Sequence, residues 1–441
     1  MIRPYSSLSL LPLGLALVCG LAPQARADDW PQWRGPTRDG QWRESGIVDA
    51  FSSAVLRPTW VAPLGPGFSG PTVAGDQVFL MDRVTTPTQQ ERVLSFDRHT
   101  GKARWTHAYA CEYRDVDYAL GPRAAVTIAD GRAFSCGTMA HVRCLDATDG
   151  RLIWARNLAA DFKKAVNFWG MNSPPLVIGD RVIFQIGGEH GACLVALDVR
   201  TGREVWRALD GGASYSPLRP IQFGKHEAVL AWTAQWLAVV DAKTGAELWK
   251  QPYTFSRMAH NVADPVLDDT GRRVLLTAFY DGSHLFAIDA AAEAAALLWH
   301  RAGINERKTV ALHSMVTTPF IRAGHVYGVD SYGETRCLDL ATGDRVWEDT
   351  TLLTGARWAT AHFVQNGDRT WVTTEHGDIV IARFTPRGAE VISRARFITP
   401  DTHINGREEP LTWSHPAYAH RSLFARTDSQ LVCISLAAPA P

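Results

Sequence analysis

The chain has 441 residues, 45 of them basic and 45 acidic, and 16 tryptophans. Balanced charge with no basic run offers nothing to collect phosphates, which excludes nucleic acid as a partner class. Past residue 21 no stretch approaches the ~20 continuous apolar residues of a membrane helix.

The first residues set the expected compartment. Arg3 is followed by an apolar run over 8–21 and by Ala25-Arg26-Ala27, the pattern of a secretory leader. Residues 1–27 are predicted to be a cleaved signal peptide, which places the mature chain in the periplasm or outside the cell. A lipid anchor on Cys19 is disfavoured because Val18 stands where a small side chain is wanted. Residues 28–56 read as an N-terminal extension, 57–436 as a repeat region and 437–441 as a tail.

The repeat opens at Asp97, with Thr100-Gly101 and Trp105 behind it. It returns at Asp146 with Gly150 and Trp154, at Asp198 with Gly202 and Trp206, at Asp241 with Gly245 and Trp249, and at Asp339 with Gly343 and Trp347. Asp289 with Trp299 is a longer, alanine-filled copy without the glycine. Apolar residues before each Asp read as a strand, the Asp caps a turn, and the Gly supplies the positive φ. A second hairpin precedes each motif, as over 68–82, 124–136 and 172–187, with later ones beginning near Tyr215, Asn261, His313, Trp358 and Trp413. Two hairpins make one four-stranded blade, and there are eight upstream hairpins. The last is followed by a single strand over 430–435, while Trp60 sits in a strand with no hairpin before it. Pairing those two strands closes the ring and removes two sheet edges. The prediction is an all-β, eight-bladed propeller of four-stranded antiparallel blades closed by an N-terminal strand.

Six cysteines follow the leader: Cys111, Cys136, Cys144, Cys193, Cys337 and Cys433. Cys136 and Cys144 could meet across a hairpin near Ala140 in an oxidising compartment; buried free thiols are the other reading.

These motifs resemble the tryptophan-docking repeat of the pyrroloquinoline quinone (PQQ) propellers. The resemblance implies that Trp60, Trp105, Trp154, Trp206, Trp249, Trp299 and Trp347 pack on turn glycines of neighbouring blades. Trp30-Pro31-Gln32-Trp33-Arg34-Gly35-Pro36 and Trp413-Ser414-His415-Pro416 look like segments of the exported propellers common in planctomycete-type bacteria. Two relatives share the repeat: quinoprotein dehydrogenases, which use PQQ with calcium on alcohols or sugars, and the BamB-type lipoprotein scaffold of outer-membrane assembly. The dehydrogenases place a bond between adjacent cysteines against the quinone, and this chain has no adjacent cysteines and no Cys-x-x-Cys-His.

In a propeller the residues leading into each inner strand face the channel mouth. His260 with Asn261, His313, His362 and His415 stand there, as do Arg123, Asn172 and Tyr215, with Trp169 nearby. The four histidines could converge to bind a divalent metal or exchange protons, or they could satisfy hydrogen bonds between blades. Glu189, Asn261, Asp281, Asp330 and Glu375 are oxygen donors by placement, though turns account for Asp281, Asp330 and Glu375. Polar segments 111–118 and 394–410 could shape a binding surface. The leading expectation is a monomeric, non-catalytic envelope scaffold, needing no cofactor, that binds a protein or carbohydrate partner. A PQQ- and calcium-dependent alcohol or sugar dehydrogenase comes second, and a metal-dependent enzyme using the histidines third.

Overall fold

The computed structural model describes residues 28–439 apart from 260, 290 and 292. The predicted leader, Cys19, His260 and the last two residues of the tail therefore lie outside the described residues. The fold is the predicted one: eight four-stranded antiparallel sheets arranged as the blades of a propeller. Blades 1 to 7 follow the chain, from Thr72–Ala74 as the inner strand of blade 1 to Gly388–Arg396 as the outer strand of blade 7. Blade 8 takes three strands from the C-terminal end and its fourth from Trp60–Pro63, which pairs with Gln430–Ser435 in the register Trp60↔Cys433 to Pro63↔Gln430.

The blades are wedges because their strands differ in length and burial. Inner strands such as Thr72–Ala74, Leu176–Ile178 and Ala417–Ala419 have three residues. Middle strands carry continuous apolar runs, as in Val195, Ala196 and Leu197, since both faces pack on neighbouring blades. Outer strands are half-exposed, and those of blades 1 to 6 hold a Trp at a register shift of the ladder, as at Trp105 opposite Ser95.

The Asp-Thr-Gly turns behave as their chemistry dictates. Asp97 Oδ1 accepts from the N–H groups of His99 and Thr100 and from the Thr100 hydroxyl, and Asp198 and Asp241 repeat the pattern. The glycine then turns at positive φ, +69° at Gly101 and +76° at Gly150. A tryptophan from the preceding blade lies flat against it: Trp60 on Gly101, Trp105 on Gly150, Trp154 on Gly202, Trp206 on Gly245 and Trp299 on Gly343. Each indole N–H donates to a carbonyl of the same turn, as Trp60 does to Arg98 at 2.8 Å and Trp299 to Leu340 at 3.0 Å. Trp249 packs against the cluster that includes Ile288 of blade 5, where the sequence between Asp289 and Trp299 has no glycine. Trp347 donates to Thr385 at 2.8 Å, but Gly388 beside it touches no ring.

One blade junction lacks the device. In blade 7 the ladder position of the tryptophan holds Ser393, opposite Ile381. The following turn does not exist, because the two outer strands of blade 8 come from opposite ends of the chain. The extension fills that gap. Phe51 N donates to Ser393 Oγ, Leu56 pairs with Arg396, Val48 with Leu436, and the Trp42 ring packs edge-on against Trp371.

Cys136 lies opposite Val142 and Cys144 opposite Phe134, two residues out of step, so the ladder does not bring these thiols together. Both are free and buried, as are the four others. Among the described residues no helix is long and apolar enough to cross a membrane.

Candidate functional site

The channel is closed at one end by the extension. Trp30 forms a two-hydrogen-bond bridge with Val73 of blade 1, and Pro31 accepts from Ile128 of blade 2. Trp33 Nε1 donates to both oxygens of Asp264, just ahead of blade 5, at 2.9 Å. Arg38, with no exposed surface, donates to the carbonyls of Pro175 and Leu218 ahead of blades 3 and 4. Gly40 and Trp42 then pair with Gln365 of blade 7. This traverse packs the lower channel, and Trp33 forms the floor of what remains.

What remains is a cavity of about 900 Å³, counting its open mouth. Its wall is built by one rule. The residue four places ahead of an inner strand points into the channel: Phe68 before Thr72, Arg123 before Thr127, Asn172 before Leu176, Tyr215 before Arg219, Val262 before Val266, Val316 before Phe320 and Trp413 before Ala417. Trp358 joins from just ahead of blade 7, while Tyr118 and Trp169 reach in from longer connections. The rings contact one another around the rim. Phe68 stacks on Trp413 with centroids 6.3 Å apart, Trp169 lies 5.0 Å from Tyr215, and Tyr118 stands edge-on to Trp169 and Trp358.

Among the described residues Arg123 is the one charged group on this wall. Its guanidinium donates to the carbonyls of Gly121, Asp117 and Tyr118, and it lies 5.4 Å from the Phe68 ring centre. Burial lowers its pKa from the usual arginine value, with Tyr113 and Glu91 pulling the other way. Asn172 and Tyr215 line the same cavity, and the Tyr215 hydroxyl accepts from Trp169 N at 3.1 Å.

The three candidate histidines among the described residues do not form one cluster. His362 and His415 face each other across the floor with ring centroids 6.5 Å apart, and Trp33 stands edge-on to His415 at 4.5 Å. His362 Nε2 donates to the Trp413 carbonyl at 3.0 Å. Burial pushes His362 down to about 4 and His415 down to about 3, so both are neutral at physiological pH. His313 is elsewhere, fully buried, with Nδ1 on the Phe279 carbonyl and Nε2 accepting from Gly303 N. Seven residues ahead of its inner strand, it occupies a different height from His415, which is two ahead. Among the described residues no three His, Cys, Asp or Glu side chains are placed to hold a metal ion.

The acidic candidates also serve the frame. Asp330 caps His313 N and pairs with the buried Arg336; Glu375 accepts from Thr360 N and Trp413 Nε1 and pairs with Arg407. Asp281 accepts from Ser256 N. Asn261 is fully buried and donates to the Trp232 carbonyl. Segment 394–410 is tied down through Asp401, which accepts from Thr427, Asp428 and Ser429. Segment 111–118 delivers Tyr118 to the cavity.

The aromatic wall would suit the flat ring system of PQQ, but the donor set does not suit its companions. Calcium takes six to eight oxygen ligands, several of them carboxylates, and among the described residues no Asp or Glu lines the cavity. The three carboxylates of the quinone would meet a single guanidinium already held by carbonyls. The residues present do not fit the calcium–quinone pair.

Phe68, Trp358, Trp33 and Trp413 were not among the residues expected from the sequence to form the site, whereas Tyr118 lies in a segment expected to shape a binding surface. The first and fourth were within reach, because they share the position of Arg123, Asn172 and Tyr215 relative to the inner strand. Trp33 was not, since its partners lie in blades 5 and 8.

An eight-bladed ring clamped by tryptophan–glycine contacts, with a plugged channel and an aromatic mouth, defines a PQQ-like propeller. The family model described as outer membrane protein assembly factor BamB matches residues 89–349, more than half of the chain, and the chain belongs to that family. Among solved structures it is similar to BamB from Moraxella catarrhalis, with 18% identity and a TM-score of 0.56 over 88% of this chain and 100% of that one. It is also similar to the quinohemoprotein alcohol dehydrogenase from Comamonas testosteroni, with 12% identity and a TM-score of 0.61 over 95% and 82%. At these identities the likeness concerns the fold. Two curated proteins align over shorter stretches. A 1-butanol dehydrogenase (quinone) of Thauera butanivorans is 28% identical over 29% of this chain, and a polyvinylalcohol dehydrogenase of a Pseudomonas species is 23% identical over 54%. The chain spans only 18% and 38% of those two proteins.

Proposed function

We propose that this chain is a non-catalytic binding propeller of the cell envelope that seats an apolar or aromatic segment of a protein partner in its channel mouth. One observation carries the reading: the cavity wall is a rim of aromatic rings with no carboxylate and one carbonyl-bound guanidinium. Apolar burial is what such a wall rewards. A sugar would bring many hydroxyls into a place with few groups to satisfy them, each unpaired one costing about 1–3 kcal/mol. The loops on the same face add exposed apolar residues, Phe168 at 53% and Ile304 at 84% exposure, which suits a protein surface continuing beyond the cavity. The BamB family description agrees with a protein partner. The expected secretory leader and the BamB-like repeat both favour the envelope as the compartment.

The test is a peptide-display selection on the intact chain, repeated on Trp358→Ala and Tyr215→Ala. Enrichment of Trp-, Tyr-, Phe- or Leu-bearing peptides that is lost in both variants supports the reading. Peptides that bind wild type and both variants equally would sink it.

The dehydrogenase reading keeps one observation in its favour, the quinone-dependent names of the curated relatives. Its experiment is a titration with PQQ and calcium, in which saturable one-to-one binding is the result that would restore it.

A further inference from the structure

A second cavity, of about 840 Å³ counting its mouth, opens on the plugged face between the extension and blades 4 to 7. Its lining includes Arg219, Arg34 and Asp264. Arg219 is only 8% exposed, yet its guanidinium makes no hydrogen bond, and its Nε is buried without a partner. Among the described residues every other buried arginine makes at least one hydrogen bond through its guanidinium, although Arg83 also leaves its Nε without a partner. Arg38 reaches Gln32, Pro175 and Leu218; Arg426 reaches the carbonyls of Gly65, Met81 and Thr427; Arg336 pairs with Asp330 and Glu348. Arg34, on the same lining, is only partly satisfied: its Nη2 donates to the Asp39 carbonyl at 3.1 Å. Its Nε is buried without a hydrogen bond, 3.8 Å from Asp264 Oδ2.

The lining is mixed in charge, with Arg34, Arg43 and Arg219 against Asp39, Asp264, Asp268 and Asp269, so what decides is which groups are already engaged. Asp264 accepts from Trp33 through both oxygens. Asp39, at the edge, is engaged by Arg43 and by Gln41 N. Asp268 is occupied by the Thr270 hydroxyl and by the N–H groups of Arg272 and Arg273. Asp269 stands exposed at the mouth. A buried guanidinium without acceptors is costly, and an oxyanion is the group its fork is shaped to bind.

We propose that this cavity binds a small oxyanion of the phosphate or sulfate type, held between Arg219 and Arg34. Arg34 belongs to the extension and Arg219 to blade 4, so the anion would fasten the plug to the ring.

The experiment is a thermal-melting titration of the intact chain with inorganic phosphate and with sulfate, against chloride and acetate at equal ionic strength. Phosphate or sulfate should raise the midpoint saturably, by about 2 °C or more, and Arg219→Met should abolish the rise. Arg114→Gln, on an exposed pair away from the cavity, should keep it. Amide exchange of residues 30–43 in wild type should slow on adding phosphate, a readout independent of any variant. No shift and no slowing, a shift that survives Arg219→Met, or a response to acetate alone would each overturn the assignment.

Discussion

Turn glycines and neutral histidines are where single residues decide most here. An added Cβ on Gly150 would sit 2.6 Å from the Trp105 ring, whereas one on Gly131 would meet nothing within 4 Å. Their φ values are nearly equal, +76° and +72°. Alanine at Gly131 should therefore cost only the left-handed backbone strain, about 1–2 kcal/mol. Alanine at Gly150 should cost roughly 3 kcal/mol or more, because the ring must also move. Comparing urea midpoints of the two variants isolates the docking contact; equal losses would mean that it carries no energy. The histidines set a pH dependence. His362 and His415 have folded pKa values of about 4 and about 3, below the ~6.5 of an unfolded histidine. The unfolded chain thus takes up protons the fold refuses, so their contribution is complete above pH ~6.5 and is lost as pH falls toward the folded values. Thermal midpoints should drop between pH 6.5 and 4.5, less steeply in a His362→Asn, His415→Asn double variant. Parallel slopes would contradict that origin.

At the scale of elements, the blades were legible in the sequence and the extension was not. Each Asp-x-x-Thr-Gly turn and its Trp form a local unit, so spacing alone located eight blades and the closing strand at Trp60. Arg123, Asn172 and Tyr215 were legible for the same reason, as residues at a fixed distance from inner strands. His313 misled because sequence position gives no height along the channel, and its carbonyl and N–H partners come from other segments. The extension has no periodicity, and Trp30, Trp33, Arg38 and Trp42 find partners only once the ring exists. Residues 41–56 replace the missing tryptophan clasp between blades 7 and 8. Trp42, at 2% exposure, packs on Trp371 and Tyr418 with centroids 5.2 and 5.1 Å apart. Trp42→Ala should cost about 3–5 kcal/mol and expose blade 8 to limited proteolysis before the other blades. Cleavage spread evenly over the ring would show that the extension does not hold that junction.

For the whole molecule, the same extension that completes the ring also gives the channel one blind end. The remaining mouth is aromatic and poor in ionised groups, so the channel itself offers an apolar ligand a single entrance. This separates architecture from activity: a repeat shared with quinone-dependent relatives surrounds a cavity that lacks the oxygen donors calcium needs. The most direct measurement is a tryptophan-fluorescence titration of the intact chain, run in parallel with a display-selected aromatic peptide and with PQQ plus calcium. Five indoles, of Trp33, Trp169, Trp358 and Trp413 at the cavity and Trp30 beneath it, would report occupancy. A saturable change is expected with the peptide, lost in Trp358→Ala, and none with the quinone at micromolar concentration. Stoichiometric quinone binding, with no peptide response, would contradict the proposed function.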